Sequence, residues 1–362
     1  MKIALLTKYG DMAASTRQRF LQYQPFLLTA GIETVQHALL DNAYLSQIYS
    51  ERRQNFAYVA SRYVKRLNWL RSNPDVDAIW LHCEVFPFLP SLAERMVSLP
   101  GKPIIFDFDD AIFHNYDLHT NRLVRFALGQ KLKTTIGQAN MAFCGNAYLA
   151  KYTSELCPRT EVVPTVVDTS VYCPPSKLKP KNVLVNIGWI GTPSTWMQYM
   201  HPMLPVFIET AAKMGARLSV MGAERNALPH PLLDFVDWSV DCEVPFLQNI
   251  DIGVMPLTDT PWARGKCGYK LIQYMACGLP VIASPVGVNC DIVEHGVNGF
   301  LVETEAEWVV ALNALISDSN LRLRMGAAGR EKVKRDYSLQ VYGPKITNLL
   351  LEMLKLQGNK FL

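Results

Sequence analysis

No two cysteines in the 362-residue chain are spaced C-x-x-C, and the eight present fall into no small-domain framework. Thiols scattered in this way are expected to stay reduced in a cytoplasm, which excludes a disulfide scaffold. No apolar run approaches the roughly 18 residues of a spanning helix. The opening MKIALLTKYG holds an apolar run too short for a secretory h-region and has no small-residue cleavage site. A soluble cytoplasmic protein is expected, at most peripheral on the inner face of the cell membrane. An excess of charge of one sign is missing as well. The formal net charge is +4, with 18 basic and 15 acidic side chains in residues 1–170 and 18 and 17 in the remainder. Neither half is a polyelectrolyte, which argues against nucleic acid as a partner.

What is present is apolar and periodic. Hydrophobic residues make up 49% and charged residues 19%, the composition of a well-buried globular protein. The length exceeds what one core usually serves, so two domains are expected. Residues 2–7 (KIALLT) run into Lys8-Tyr9-Gly10 and a helical pattern from about 15 to 30. Residues 182–187 (NVLVNI) run into Gly188-Trp-Ile-Gly191 and a second helical stretch. Further strands are expected near 32–37, 77–82, 103–108 and 141–144, and then near 217–221, 250–255 and 280–283. Short apolar runs separated by helix-length segments imply parallel sheets with right-handed crossovers. The spacing thus predicts an α/β protein of two Rossmann-like domains whose sheets face an interdomain cleft. The seam falls in the proline- and lysine-rich residues 168–181 (DTSVYCPPSKLKPK). Expected boundaries are 1–170 and 171–340, with a helix over 341–362 packing back on the first domain.

Two stretches carry chemistry. Residues 104–114 (IIFDFDDAIFH) crowd Asp107, Asp109 and Asp110 after a greasy run. Such carboxylates suit a hard divalent cation, resemble the nucleophile motif of haloacid-dehalogenase-like phosphatases, or line a cleft whose chemistry lies elsewhere. Residues 262–287 (WARGKCGYKLIQYMACGLPVIASPVG) crowd Arg264, Lys266 and Lys270 around the start of a helix, with Gly265 and Gly268 letting backbone approach a ligand. Gly287 closes a turn after the next strand. Helix-start amides flanked by cations suit a diphosphate.

Residues 270–287, continued by DIVEHGVNGFLV at 291–302, resemble the nucleotide-sugar site of GT-B glycosyltransferases, family 4 in particular. Val163-Pro-Thr-Val-Val-Asp168 looks like that family's interdomain signature, and residues 321–337 (LRLRMGAAGREKVKRDY) resemble its C-terminal helix pair. The resemblance implies a retaining glycosyltransferase of the GT-B fold that uses a UDP-, GDP- or dTDP-sugar as co-substrate, with no cofactor and no metal. The acceptor it implies is a glycan or lipid-linked saccharide, in bacterial surface polysaccharide synthesis. The leaving phosphate would help to deprotonate that acceptor. Two departures stand out. The family's paired glutamates, the first on the donor sugar and the second on the ribose, fall here on Gly265 and Gln273. Its Arg and Lys after the first strand of the second domain are replaced by Gly188-Trp-Ile-Gly-Thr-Pro-Ser194, so the cations at 264, 266 and 270 are expected to move the positive charge to the other wall of the pocket.

The resulting donor-binding candidates are Gly10, Arg264, Gly265, Lys266, Gly268, Lys270, Gln273 and Gly287. Acceptor-binding candidates are Arg17, Glu84 and Asp107. Asp109, Asp110 and His114 are the candidate catalytic residues, with an aspartate orienting a sugar hydroxyl. For Gly10 a plain turn competes with ligand approach, for Arg17 an ordinary helix-surface role, and for His114 a loop histidine. Residues 51–71 hold six basic side chains, one acid and four large aromatics. They suit an anionic membrane surface or a helix whose aromatics pack on the sheet. Against a phosphatase, Asp107-Phe-Asp109 sits on the fourth strand and no late lysine and acidic pair completes the site. A metal-binding Asp-x-Asp belongs to single-domain GT-A enzymes. A nucleotide-sugar epimerase of the same fold and a non-catalytic sugar-nucleotide-binding subunit remain as alternatives.

Overall fold

The computed structural model describes residues 1–51, 56–72, 74–176, 184–223 and 230–358. The chain divides into two compact units: residues 1–165, 265–267 and 342–362 form the first, and residues 166–264 and 268–341 the second.

In the first unit six strands form one parallel sheet: β1 (Lys2–Tyr9), β2 (Glu33–Leu40), β3 (Ala78–His82), β4 (Ile104–Phe108), β5 (Met141–Cys144) and β6 (Thr160–Val162). Their order is β2-β1-β3-β4-β5-β6. β3, β4 and β5 are buried along their whole length, which is why they read in the sequence as continuous apolar runs rather than alternating ones. Helices cover the sheet, and Ile79, Leu81, Phe106, Phe108 and Ala142 sit in the core between them. β6 was not expected. Its three residues TEV are too short and too polar to stand out, being half-buried or exposed at the sheet's edge. The helix Leu339–Gly358 starts in the second unit, and its residues from 342 on group with the first. There a Cβ at Gly343 would stand 2.7 Å from the Phe26 ring, so only glycine lets the helix lie against it.

In the second unit β7 (Val185–Ile190), β8 (Ala216–Met221), β9 (Leu233–Val236), β10 (Ile252–Met255), β11 (Val281–Ala283) and β12 (Gly299–Leu301) are again all parallel. Their order is β12-β11-β10-β7-β8-β9. The sequence placed the first of these strands at 182–187 with a glycine turn after it. Residues 182 and 183 lie outside the described residues, and Gly188 stands inside β7, where a Cβ would be 2.3 Å from the Ile250 side chain. Gly188 is therefore a packing glycine, and the turn begins at Gly191. β9 and β12 were also missed, because each holds only three or four residues, most of them half-buried.

The basic segment forms two helices, Asn42–Glu51 and Phe56–Arg71, and residues 52–55 between them lie outside the described residues. The second helix turns much of its charge inward. Arg66 is fully buried and donates to the carbonyls of Thr7 and His37, and Arg62 donates to those of Leu39 and Ala38. Tyr58 donates to Asp41, Tyr63 to the Pro87 carbonyl, and Trp69 packs on His37. Phe56, Val64, Lys65 and Arg71 remain exposed.

Candidate functional site

In open parallel sheets, ligands gather at the carboxyl ends of strands where the strand order reverses. That reversal lies between β1 and β3 in the first unit and between β7 and β10 in the second.

In the first unit Asp107 lies within β4, and Asp109 and Asp110 follow its end. Asp107 is only 1% exposed. Its Oδ1 accepts from Arg19 Nε at 2.8 Å and its Oδ2 from Trp80 Nε1 at 3.1 Å. Burial pushes its carboxyl above the ordinary range in spite of Arg19. Arg19, itself buried, also donates to the Val163 carbonyl. The expected acceptor contact at Asp107 is therefore corrected: the carboxylate is an internal fastener between β4 and the Ala14–Arg19 helix. Glu84 is corrected for the same reason. It is buried, accepts from Tyr116 Oη at 2.6 Å, and pairs at 2.9 Å with Lys131, which also pairs with buried Glu94.

Asp109 stands just beyond the strand. Its Oδ2 accepts from Thr165 Oγ1 at 3.1 Å, and its Oδ1 lies 4.0 Å from His82 Nε2, within ion-pair reach but beyond a hydrogen bond. Burial alone would raise its pKa, but His82, Arg19 and Thr165 together hold it below the ordinary carboxylate range. Neither ring nitrogen of His82 has a hydrogen-bond partner among the described residues. The following Cys83 adopts φ 63°, a left-handed conformation that is strained for a residue with a side chain. A Cβ at Gly145 would stand 2.8 Å from Asp109 Cα, so glycine there lets the loop after β5 back the aspartate closely. The Asp110 carbonyl accepts from Ile112 N at 2.8 Å, opening the turn that leads to His114. His114 is engaged through both ring nitrogens, Nδ1 with Asp117 at 2.9 Å and Nε2 with Tyr148 Oη at 2.9 Å.

The other first-unit candidates shape loops. Arg17 Nη1 donates to the Asp11 and Met12 carbonyls at 2.9 and 2.7 Å, tying down the turn after β1. A Cβ at Gly10 would stand 2.2 Å from Asn42 Oδ1, so the turn reading of this glycine has a packing cause. Residues 265–267, expected in the donor pocket, group with this unit. The Gly265 and Lys266 carbonyls each accept from Asn146 Nδ2 at 3.0 Å, and a Cβ on Gly265 would stand 2.2 Å from that of Ala111.

In the second unit the helix Tyr269–Ala276 is fixed across the reversal point by one side chain. Tyr274 Oη accepts from Ile190 N on β7 at 3.0 Å and donates to the Val254 carbonyl on β10 at 3.4 Å. Gly268 caps the helix at φ 67°, and a Cβ there would stand 2.4 Å from Ile292 Cδ1. Both facts demand glycine. Lys270, in the first turn, holds its ammonium 5.6 Å from the centre of the Trp189 ring at the end of β7. The first-turn amides and this cation together form a positive field at the strand ends. Arg264 pairs in bidentate fashion with Asp259 at 2.7 and 2.8 Å on the exposed surface, so its charge is not the unopposed cation that the sequence suggested. Gly287 has φ 55°, and a Cβ on it would stand 2.6 Å from the Arg264 carbonyl oxygen, so the turn after β11 packs on that backbone.

Gln273 is 3% exposed and gives its Nε2 to Glu243 Oε1 at 2.5 Å. It does not stand open as an unattached pocket side chain, because a buried carboxylate has captured one end of its amide. A cavity of about 460 Å³ opens beyond the ends of β10 and β11, lined in part by Thr258, Asp259, Ser284, Glu303 and Trp308. Its size suits a small-molecule ligand. Glu243, Asp259, Thr165 and Asn146 were all missed by sequence reasoning. Glu243, Thr165 and Asn146 lie 30, 56 and 119 residues from Gln273, Asp109 and Gly265, so no local pattern marks them, whereas Asp259 is only five residues from Arg264. Among the described residues no group of three or more His, Cys, Asp or Glu side chains is placed to hold a metal ion, and no helix is long and apolar enough to cross a membrane.

Comparison with known proteins bears on both units. Residues 181–318 match the family model described as Glycosyl transferases group 1. The capsular polysaccharide biosynthesis glycosyltransferase CapM of Staphylococcus aureus is 29% identical over 114 residues, which is 31% of this chain and 29% of that protein. This chain thus aligns with less than a third of that relative's length. Among solved structures, Alr3699/HepE of Anabaena in complex with UDP-glucose superposes with a TM-score of 0.68 at 15% identity, covering 97% of this chain and 99% of that one. The sucrose-phosphate synthase of Thermosynechococcus elongatus gives 0.70 at 13% identity, covering 98% and 100%. The chain has the GT-B fold, and its residues 181–318 match the model of Glycosyl transferases group 1.

Proposed function

We propose that the protein is a retaining, metal-independent glycosyltransferase that moves a sugar from a nucleoside-diphosphate donor to a hydroxyl of a glycan or lipid-linked saccharide in surface polysaccharide synthesis. The observation that carries this reading is the start of the Tyr269–Ala276 helix. Gly268 at its left-handed cap and Lys270 in its first turn sit inside the matched family region, anchored at the reversal point by Tyr274. The second unit would take the donor, with its diphosphate at the helix start beside Lys270 and its ribose at Gln273. Gly265 offers this donor no side chain. The first unit would take the acceptor, with Asp109 and Asp110 orienting the attacking hydroxyl.

In the reaction the anomeric C–O bond to the diphosphate breaks and a new one forms to the acceptor oxygen. The hydroxyl proton passes to the leaving phosphate, and negative charge grows on that phosphate as the bond breaks. Cations and helix amides fixed in place before the reaction stabilise that charge without reorganising. Relatives support the reading through their own descriptions, one a capsular polysaccharide glycosyltransferase and one solved with UDP-glucose. The exposed Phe56, Val64 and Lys65 would serve a membrane-borne acceptor, and co-sedimentation with anionic liposomes tests that part.

A thermal-shift panel of UDP-, GDP- and dTDP-sugars tests the donor site. A ligand at 100 times its dissociation constant adds about 2.7 kcal/mol of apparent stability, and Lys270→Ala is expected to abolish the shift. The absence of a glutamate at 265 and 273 favours a second reading, a sugar-nucleotide-binding subunit without transfer activity. Binding with no turnover on any acceptor would support it.

A further inference from the structure

Glu243 lies in the first turn of the helix Val240–Asn249 and is 7% exposed. Three donors from three different segments converge on it. Its Oε1 accepts from Gln273 Nε2 and from Tyr172 Oη, each at 2.5 Å, and its Oε2 accepts from Trp238 Nε1 at 2.9 Å. Tyr172 comes from the segment after β6, Trp238 from the loop after β9, and Gln273 from the helix at the reversal point. Held on both oxygens, the carboxylate cannot rotate.

An ionised carboxylate accepts hydrogen bonds and has none to give, so the end of the Gln273 amide that faces it must be the NH2 group. The amide is planar, and its carbonyl oxygen therefore points away from Glu243. The side chain hydrogen-bonds Glu243 and Tyr172, which lie together on this inner side. A glutamine on its own offers a ligand either a donor or an acceptor, because turning the amide over costs little. Pinned in this way, it offers an acceptor alone. We infer that Glu243 is a positioning residue that locks the Gln273 amide so that it meets the donor's ribose only as an acceptor of a hydroxyl hydrogen bond. The inference rests on the proposal that the second unit binds a nucleotide-sugar. On that basis, two residues together present the single acceptor face that one carboxylate at position 273 would present.

The consequence is a swap experiment. In Glu243→Gln the residue at 243 must turn its own NH2 toward one of its three former donors. Conflict is relieved if Gln273 flips, and its NH2 then faces the ribose. Gln273→Glu alone sets two carboxylates against each other. Glu243→Gln combined with Gln273→Glu restores one carboxylate and one amide, with an oxygen again toward the ribose.

The measurement is isothermal titration of the full-length protein with UDP and GDP and with their 2′-deoxy and 3′-deoxy forms. In the wild type, removing the contacted hydroxyl should weaken binding about three- to tenfold, the worth of one neutral hydrogen bond. Glu243→Gln should erase that discrimination, Gln273→Glu should bind poorly, and the double variant should recover discrimination. Should Glu243→Gln fail to fold, the comparison of Gln273→Glu with the double variant carries the test alone. Discrimination that persists in Glu243→Gln, or a double variant no better than Gln273→Glu, would overturn the inference while leaving the donor site standing. If neither nucleotide binds the wild type, the donor reading fails and this inference with it.

Discussion

At the scale of single residues, the three aspartates at the end of β4 have separate fates. Asp107 and Arg19 form a buried pair 2.8 Å apart with both side chains 1% exposed. Removing one partner of such a pair leaves an uncompensated charge at a cost of about 3–5 kcal/mol. Arg19→Met is therefore expected to lower the unfolding free energy by that much, read from urea titration. Asp109 is held ionised at the strand end and is less enclosed. Asp109→Asn should cost less stability than Arg19→Met and lower transfer about ten- to a hundredfold, the worth of a hydrogen bond to a charged group. Asp110→Asn provides the comparison. If both asparagine variants keep full activity in a transfer assay, these carboxylates only cap the turn that follows.

At the scale of elements, β2 and the helix Phe56–Arg71 are joined by a contact that fixes a protonation state. Arg66 Nε donates to His37 Nδ1 at 3.2 Å, so that nitrogen must carry a lone pair and the imidazole must be neutral. Burial, and then the Arg66 charge, bring the His37 pKa from 6.5 down to about 4. The unfolded chain therefore takes up a proton between pH 6.5 and 4 that the folded chain refuses. Stability is expected to fall as the pH drops through that window. Allowing for the partial exposure of the ring, the loss is about 1–2 kcal/mol. Urea titrations at pH 7 and 4.5 check this, and His37→Gln, which keeps an acceptor for Arg66 but cannot titrate, should show less of the loss. The helix Tyr269–Ala276 depends on its cap in a different way. Gly268→Ala would bring both a strained φ and a methyl against Ile292, and should weaken nucleotide binding as Lys270→Ala does while also lowering the melting temperature of the unliganded protein.

At the scale of the whole molecule, each unit is a six-stranded parallel sheet with its own core and its own reversal point. Nothing in the proposed reaction routes through a metal. The phosphate charge is met by cations and helix amides, and the acceptor by carboxylates. Transfer activity is accordingly expected to survive excess EDTA, and a loss that added magnesium restores would remove metal independence from the proposal. The wide structural likeness at low identity fits this division. A fold shared with HepE and a sucrose-phosphate synthase at 13–15% identity fixes where strand ends lie and leaves the side chains at those ends to set the substrate.

The sequence by itself determined the alternation of buried strands with helices, and through it the parallel sheets, because strands covered on both faces must be apolar throughout. It also determined the glycine and lysine cluster at the start of the Tyr269–Ala276 helix, since a left-handed cap and a crowded turn leave glycine no substitute. The short edge strands β6, β9 and β12 escaped it, being too brief to show a period. Only the tertiary structure decided which polar groups are occupied inside the protein. Asp107 meets Arg19 across 88 positions, Gln273 meets Glu243 across 30 and Asp109 meets Thr165 across 56. Pattern in a chain reports what each residue tends to do with its neighbours. Whether a carboxylate faces a substrate or an arginine depends on which distant segment the fold brings to it.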